Sequence, residues 1–407
     1  MTHLMIVGGG LAAATAAESL RSEGFDGDVT VVTDEAHAPY QRPPLSKGYL
    51  AGKEGLDAVI VHPREWYAEN GIDLRTETTV RRINPAAHSA EFAGGTAATW
   101  DALLLATGSS PRRLPIEGHD LQGVHMLRRI GDSDSLAEQL RGGGKKLVLI
   151  GSGWIGMEVA ATAREFGNDV TILGRDAVPL AAALGTELGG VFRRLHEQHG
   201  VDIRTSAQVE RIIGSDRVTG VAVDGEVVPA DLVLIGVGAV PNTGLAEASG
   251  IEINNGILTD ASLRTSAPDV FAAGDVANAY HPVVQRHLRS EHWANALNAG
   301  PVAARAMLGQ HVSFSAIPYF YTDQFDLGME LSGYPPLMAD ADLVIRGDRE
   351  AREFIAFWVD HGRVVGGMNV NVWDVNETVQ QLIRSAAPID LAALADPGVA
   401  LDSLVRD

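Results

Sequence analysis

Cysteine is absent from the 407-residue chain. That excludes disulfide staples, thiolate metal sites and any mechanism that relays electrons through a cysteine pair. A basic surplus is also missing: 32 Lys and Arg stand against 52 Asp and Glu, a net charge of −20. Nucleic acid is thereby set aside as a main partner, because no large basic surplus is available to meet phosphates. No apolar run approaches the roughly 20 residues needed to span a bilayer. No signal-peptide pattern precedes the first strand, so the chain is expected in the cytoplasm and off the membrane. The histidines form no ligand pattern, and no metal is expected. His196 and His199 lie three apart on a predicted helix in a charged segment with no carboxylate partner, which predicts a solvated face. His281, His287 and His292 are expected to be neutral structural residues.

Small residues are plentiful, and they gather at two strand–turn–helix junctions. Leu4–Val7 is a short apolar run, predicted as a buried parallel strand. Gly8, Gly10 and Ala13 follow in the G-x-G-x-x-G/A spacing, and an alanine-rich helix begins. Gly8 permits the tight turn, Gly10 lets backbone approach a pyrophosphate, and Ala13 lets helix and strand pack closely. The pyrophosphate would lie at the helix N-terminus, where unpaired N–H groups and the helix dipole favour negative charge. Lys145–Ile150 opens a second unit of the same kind, with Gly151, Gly153 and Gly156 all present and Ile155 in the turn. A helix over Met157–Phe166 and a strand over Asp169–Leu173 complete it. One site per unit implies two dinucleotides, and a protein that holds two is most simply an electron-transfer flavoenzyme.

The two units differ at the end of their second strands. Asp28–Thr33 is closed by Asp34 and Glu35, either of which is suited to hydrogen-bond an adenosine ribose. In the second unit Leu173 is followed by Gly174 and Arg175. No acid is there to hold an NAD ribose, and an arginine can meet a 2′-phosphate, so NADH and NADPH both stay open as donors.

Between and beyond these units the chain carries further turns. In Tyr40–Leu50, Pro43 and Pro44 are expected to forbid helix before Leu45, and Ser46 to cap a short helix holding Lys47. Arg42 and Lys47 are placed to meet phosphate or flavin, or are plain surface cations. Residues 59–100 read as a helix near Pro63–Asn70 followed by short strands. Asp101–Thr107 is a buried strand ended by Gly108, whose turn, with Thr107, brings backbone to the first nucleotide. Ala230–Val240 repeats that pattern, with Gly238 at its end, and Val270–Val276 carries a Gly274-Asp275 turn able to aim a carboxylate at a ribityl hydroxyl. Ser290–Ala299 is predicted helical with Trp293 on it. From Pro318 aromatics cluster and β-like runs follow at Leu343–Arg346, Glu353–Val359 and Val364–Val372, then a helix at Glu377–Ser385.

With GGGLAA, RPPLSK, LLATGSSPR, GSGWIGMEVAA, PADLVLIGVGAVPN, FAAGDVA, SEHWANA and PYFYTDQFDLG assembled, the chain resembles the NAD(P)H-dependent ferredoxin reductases of oxygenase systems from Leu4 to its tail. The resemblance implies an α/β fold: two Rossmann-like dinucleotide-binding domains of the glutathione-reductase kind plus a C-terminal α+β domain. Residues 1–112 with 242–318 would bind FAD, 113–241 would bind NAD(P)H, and 319–407 would form the third domain. It implies that Ala12, Asp34, Lys47, Val80, Arg128, Asp275 and Trp293 contact FAD and that Glu158 is the acid beside the nicotinamide. It further implies hydride transfer from NAD(P)H to FAD, then single electrons to an iron–sulfur ferredoxin. That ferredoxin would feed a cytochrome haem monooxygenase or a ring-hydroxylating dioxygenase. Lys47 and Glu158 would be the catalytic pair, and the protein a monomer or weak homodimer. Cysteine-dependent relatives such as glutathione reductase are excluded. The family commonly has an acid where this chain has Gly174. The pairs Arg112-Arg113, Arg128-Arg129 and Arg193-Arg194 are candidates for steering an acidic ferredoxin. Two other readings remain: a flavin-bearing binding protein gated by its redox state, and an NAD(P)H oxidase.

Overall fold

In a computed structural model that describes residues 2–406, the first fingerprint runs from β1 (His3–Val7) into α1 (Leu11–Ser22). β2 (Asp28–Val32), β3 (Ile72–Arg75) and β4 (Ala102–Leu105) join β1 in a parallel sheet ordered Val270–Ala272, β4, β1, β2, β3. β1 from Leu4 on and β4 throughout are apolar because helices and loops cover both faces of such a sheet. Small residues set the spacing above it. In the helix Trp293–Met307 a Cβ on Gly300 would stand 2.6 Å from the Ala12 carbonyl oxygen, so that helix lies directly on α1.

The chain divides into two compact units. The first comprises the residues up to Arg42, Gly55–Ser110 and Val240–Phe320; the second comprises Pro43–Glu54, Pro111–Ala239 and the residues from Tyr321 on. The second unit repeats the parallel sheet with β5 (Lys146–Ile150), α2 (Trp154–Glu165), β6 (Asp169–Leu173), β7 (Asp202–Arg204) and β8 (Leu232–Ile235). Its order is β7, β6, β5, β8, Val124–His125, all parallel. The C-terminal sheet is ordered Tyr319–Gln324, Leu327–Gly333, Arg363–Val370, Glu353–Asp360, Asp342–Asp348, with the last four strands antiparallel. The helix Asn376–Ser385 seats Val379 over Gly367, where a Cβ would lie 2.5 Å from the valine. No helix among the described residues is long and apolar enough to cross a membrane.

Three local expectations are corrected. A 3-10 helix begins at Pro43 and ends at Ser46, because proline is tolerated in a first turn that needs no N–H donor. Ser46 therefore caps nothing. α2 starts at Trp154, not Met157, since extended Gly153 already forms its cap. The helix expected from Ser290 starts at Trp293 and runs on to Met307.

Candidate functional site

In the first unit the turn at Gly8 needs a glycine. Its φ is +145°, and a Cβ would collide with the Ala106 carbonyl beyond β4. Gly10 is different: its backbone is extended, and a Cβ there would meet nothing within 4 Å. No side chain caps α1 and no acid lies in its first turn, so its N–H groups face that open space. Ala13 is fully buried in the core with β1 residues Leu4 and Ile6. Ala12 packs against Gly274, whose φ of +77° and missing side chain bring the Gly274–Val276 turn onto α1. Asp275 in that turn accepts a hydrogen bond from Ser109 Oγ at 3.0 Å. Thr107 and Asn242 exchange two bonds, Thr107 Oγ1 to the Asn242 carbonyl at 2.9 Å and Asn242 Nδ2 to the Thr107 carbonyl at 2.8 Å. Gly108 follows with a φ of +64°.

The two acids after β2 part ways. Asp34 is exposed. Glu35 is buried, accepting from Tyr40 Oη at 2.5 Å and from Arg42 at 2.8 Å, while Arg42 also donates to Tyr40 Oη at 2.9 Å. Val80 has its side chain in the core with Val32 and Leu105. Trp293 donates its indole N–H to Gln41 Oε1 at 2.9 Å. Two residues the fingerprints do not signal also stand out: Arg289 Nε and His292 Nδ1 are buried and have no partner among the described residues. Arg289 donates to the Asp275 carbonyl at 3.2 Å.

In the second unit Gly151, at φ +113°, lies against the Gly236 carbonyl, and Gly156 approaches the Gly151 oxygen, where a Cβ would stand 2.5 Å away. Gly153, like Gly10, would carry a Cβ into open space, and α2 has neither a side-chain cap nor an acid in its first turn. Ile155 is 44% exposed beside that turn. Arg175 is exposed past β6, and a Cβ on Gly174 would meet Ser152 Oγ at 2.6 Å. Gly238, at φ +100°, accepts from the Arg112 N–H at 2.8 Å. The Arg128 and Arg129 N–H groups both donate to Asp132 Oδ2, at 2.9 and 2.8 Å, at the start of the helix Ile130–Leu140. Arg193 pairs with Glu197 and Arg194 with Glu350, so that pair is engaged with acids.

The strongest polar cluster surrounds Glu158 on α2, which is 4% exposed. Lys47 Nζ lies 2.7 Å from its Oε1, and Thr322 Oγ1 donates to the same oxygen at 2.7 Å. Ser46 Oγ donates to Oε2 at 2.5 Å. Lys47 Nζ also stands 5.4 Å from the centre of the Tyr321 ring. The sequence isolated Lys47 and Glu158 but not Ser46 or Thr322; only the RPPLSK and PYFYTDQFDLG segments, read as wholes, contained them.

Residues 2–300 match the pyridine nucleotide-disulphide oxidoreductase family and residues 319–405 the reductase C-terminal domain. The chain belongs to that family. This family member is 40% identical to the probable ferredoxin reductase CtmF of Castellaniella defragrans, over 99% of this chain and 98% of that protein. It is 36% identical to rhodocoxin reductase of Rhodococcus erythropolis, over 97% and 92%. Its fold superposes on the reductase in the covalent putidaredoxin reductase–putidaredoxin complex with a TM-score of 0.95, at 33% identity over 99% and 98% of the two chains.

His196 corrects an expectation, while His199 is exposed as expected. His196 is fully buried and donates from Nε2 to Gln324 Oε1 at 2.8 Å, and His199 stacks on Phe325 at 3.9 Å. His196 lies four residues after buried Phe192 and so continues the helix's apolar stripe, which the surrounding charges mask. Burial pushes His196 and His292 down to about 4. Unfolded, each binds a proton near its ordinary value of about 6.5. Their contribution to stability is therefore whole above about pH 6.5 and is lost as the pH falls toward 4. Thermal unfolding followed by circular dichroism is expected to move to lower temperature across that window. A midpoint that stays constant would contradict buried neutral imidazoles.

Proposed function

We propose that the chain is an FAD-dependent ferredoxin reductase: it takes a hydride from NAD(P)H and delivers single electrons to an iron–sulfur ferredoxin that serves an oxygenase. In this reading residues 1–112 with 242–318 hold FAD, 113–241 hold NAD(P)H, and 319–407 form the C-terminal domain. The observation that carries it is the duplicated cradle. Gly10 and Gly153 each leave open space before an uncapped helix N-terminus, in a chain without cysteine.

The residues present fit FAD. The first cradle has room for a pyrophosphate, Asp34 stands exposed where a ribose acid is needed, and Arg289 Nε and His292 Nδ1 are buried polar atoms still to be satisfied. Bound FAD supplies the exchange between a two-electron donor and a one-electron acceptor. The α1 N-terminus holds its pyrophosphate. Asp34 accepts from the adenosine ribose, Glu35 being taken by Tyr40 and Arg42. Ser109 orients the Asp275 carboxylate toward a ribityl hydroxyl. The α2 N-terminus holds the pyrophosphate of NAD(P)H. Glu158 would meet the nicotinamide amide, and Lys47 would supply positive charge beside it. Without cysteine, this chain carries no disulfide chemistry of its own.

The test is the visible spectrum of the purified protein, followed by anaerobic titration with NADH and with NADPH. A yellow protein bleached by either donor, and reoxidised by a ferredoxin, supports the reading. A preparation that stays colourless after FAD is supplied ends it. Fast oxygen consumption matching NAD(P)H loss without ferredoxin would favour an oxidase. Arg175→Ala bears on the donor. NADPH binding is expected to weaken about tenfold, the scale of one charge-assisted contact to a 2′-phosphate, with NADH binding unchanged. Equal changes for both would remove Arg175 from donor selection.

A further inference from the structure

Glu158 is the end of a longer chain of hydrogen bonds. Thr322 Oγ1 donates to Glu158 Oε1 at 2.7 Å, Gln324 Nε2 donates to Thr322 Oγ1 at 3.2 Å, and His196 Nε2 donates to Gln324 Oε1 at 2.8 Å. All four side chains are buried: Thr322 and His196 fully, Gln324 to 1% exposure and Glu158 to 4%. The links come from three parts of the fold: the helix Ala181–Gln198, the strand Tyr319–Gln324 and α2.

Only one direction satisfies every link. Thr322 has one hydroxyl proton, and a carboxylate can only accept, so that proton goes to Glu158. Gln324 must then turn its NH₂ to Thr322 and its carbonyl to His196. His196 in turn must carry its proton on Nε2, which leaves Nδ1 bare, and Nδ1 has no partner among the described residues. The order of donors thus fixes the amide orientation and the imidazole tautomer.

We propose that Thr322, Gln324 and His196 are positioning residues that fix the rotamer of Glu158 and, through it, the place of Lys47. Lys47 is a flexible ammonium on a long stem, with no fixed direction of its own. Glu158 Oε1 meets both Lys47 and Thr322, and Ser46 takes Oε2. Removing the Thr322 hydroxyl leaves the carboxylate held by Ser46 and Lys47 alone, which widens its swing about the terminal torsion, and Lys47 follows. This inference rests on the reading of Lys47 and Glu158 as the pair at the site of hydride exchange.

The experiment compares Thr322→Val, Thr322→Ser and Lys47→Met in the FAD-loaded protein by stopped-flow bleaching over a range of NAD(P)H concentrations. For Thr322→Val the limiting rate is expected to fall about tenfold, the scale of one hydrogen bond to a charged group, with a smaller rise in the nucleotide dissociation constant. Thr322→Ser, which keeps the hydroxyl, should recover the wild-type rate to within about twofold. A Thr322→Val rate like wild type, or a serine variant as slow as the valine, overturns the relay. If Thr322→Val does not fold, Gln324→Met removes the next link: a fall of about threefold supports the relay, and a wild-type rate overturns it. Nitrogen NMR of histidine-labelled protein gives a readout independent of turnover. His196 should carry its proton on Nε2, and a proton on Nδ1 overturns the chain. A normal rate in Lys47→Met would instead remove the underlying site reading. A slow Lys47→Met beside a normal Thr322→Val removes the relay alone.

Discussion

Gly10→Val is expected to give a folded, colourless protein. The Gly10 backbone is extended, with φ −104°, which valine adopts readily, and its Cβ would meet no atom within 4 Å. Losing glycine at the helix cap costs about 1 kcal/mol, too little to unfold a chain of this size. In the proposed function the space the valine fills is the space the pyrophosphate would need. FAD binding should therefore fail while the far-ultraviolet circular dichroism spectrum stays unchanged. Gly8→Val makes the contrast, because at φ +145° its side chain would run into the Ala106 carbonyl and cost folding itself. Absorbance near the flavin bands relative to the protein band separates the two. A yellow Gly10→Val protein with full flavin content would show that the first fingerprint holds no dinucleotide.

Lys47→Met is expected to slow flavin bleaching by NAD(P)H about a hundredfold, the scale seen when one preorganised electrostatic donor is removed from a reacting centre. Methionine keeps most of the stem volume beside Tyr321 and removes only the charge. Glu158, 4% exposed, then keeps Ser46 and Thr322 as donors but loses its counter-charge. Glu158→Gln alone removes the charge and keeps the shape, and the double variant Lys47→Met/Glu158→Gln should be less impaired than the sum of the two, because the residues are in direct contact. Stopped-flow rates for the three variants check this. Additive effects would mean that the pair acts at two separate places.

Much of the cradle was legible in the residues because backbone geometry demanded them. A turn at positive φ or a close approach of backbone requires a small residue at Gly8, Ala13, Gly151 and Gly156, while Gly10 and Gly153 leave a helix end open. The apolar runs of β1, β4, β5 and β8 likewise declare strands covered on both faces. The fate of charged and polar side chains was not legible in the same way. Asp34 and Glu35 are neighbours of equal chemistry, yet one is exposed and the other is bound by Tyr40 and Arg42. His196 sits in a charged segment and is nonetheless buried against Gln324. Ser46 looks like a helix cap and is a donor to a carboxylate 112 positions away.

The sequence by itself therefore determined the two parallel α/β units, their glycine turns and the exclusion of thiol chemistry, because those follow from local sterics and composition. Tertiary structure alone decided which acid stays exposed, which histidine is neutral and what holds Glu158. Glu35 is held by partners five and seven residues on, His196 and Glu158 by partners 128 and 164 residues away, and only folding sets who meets whom and how much water is left between them.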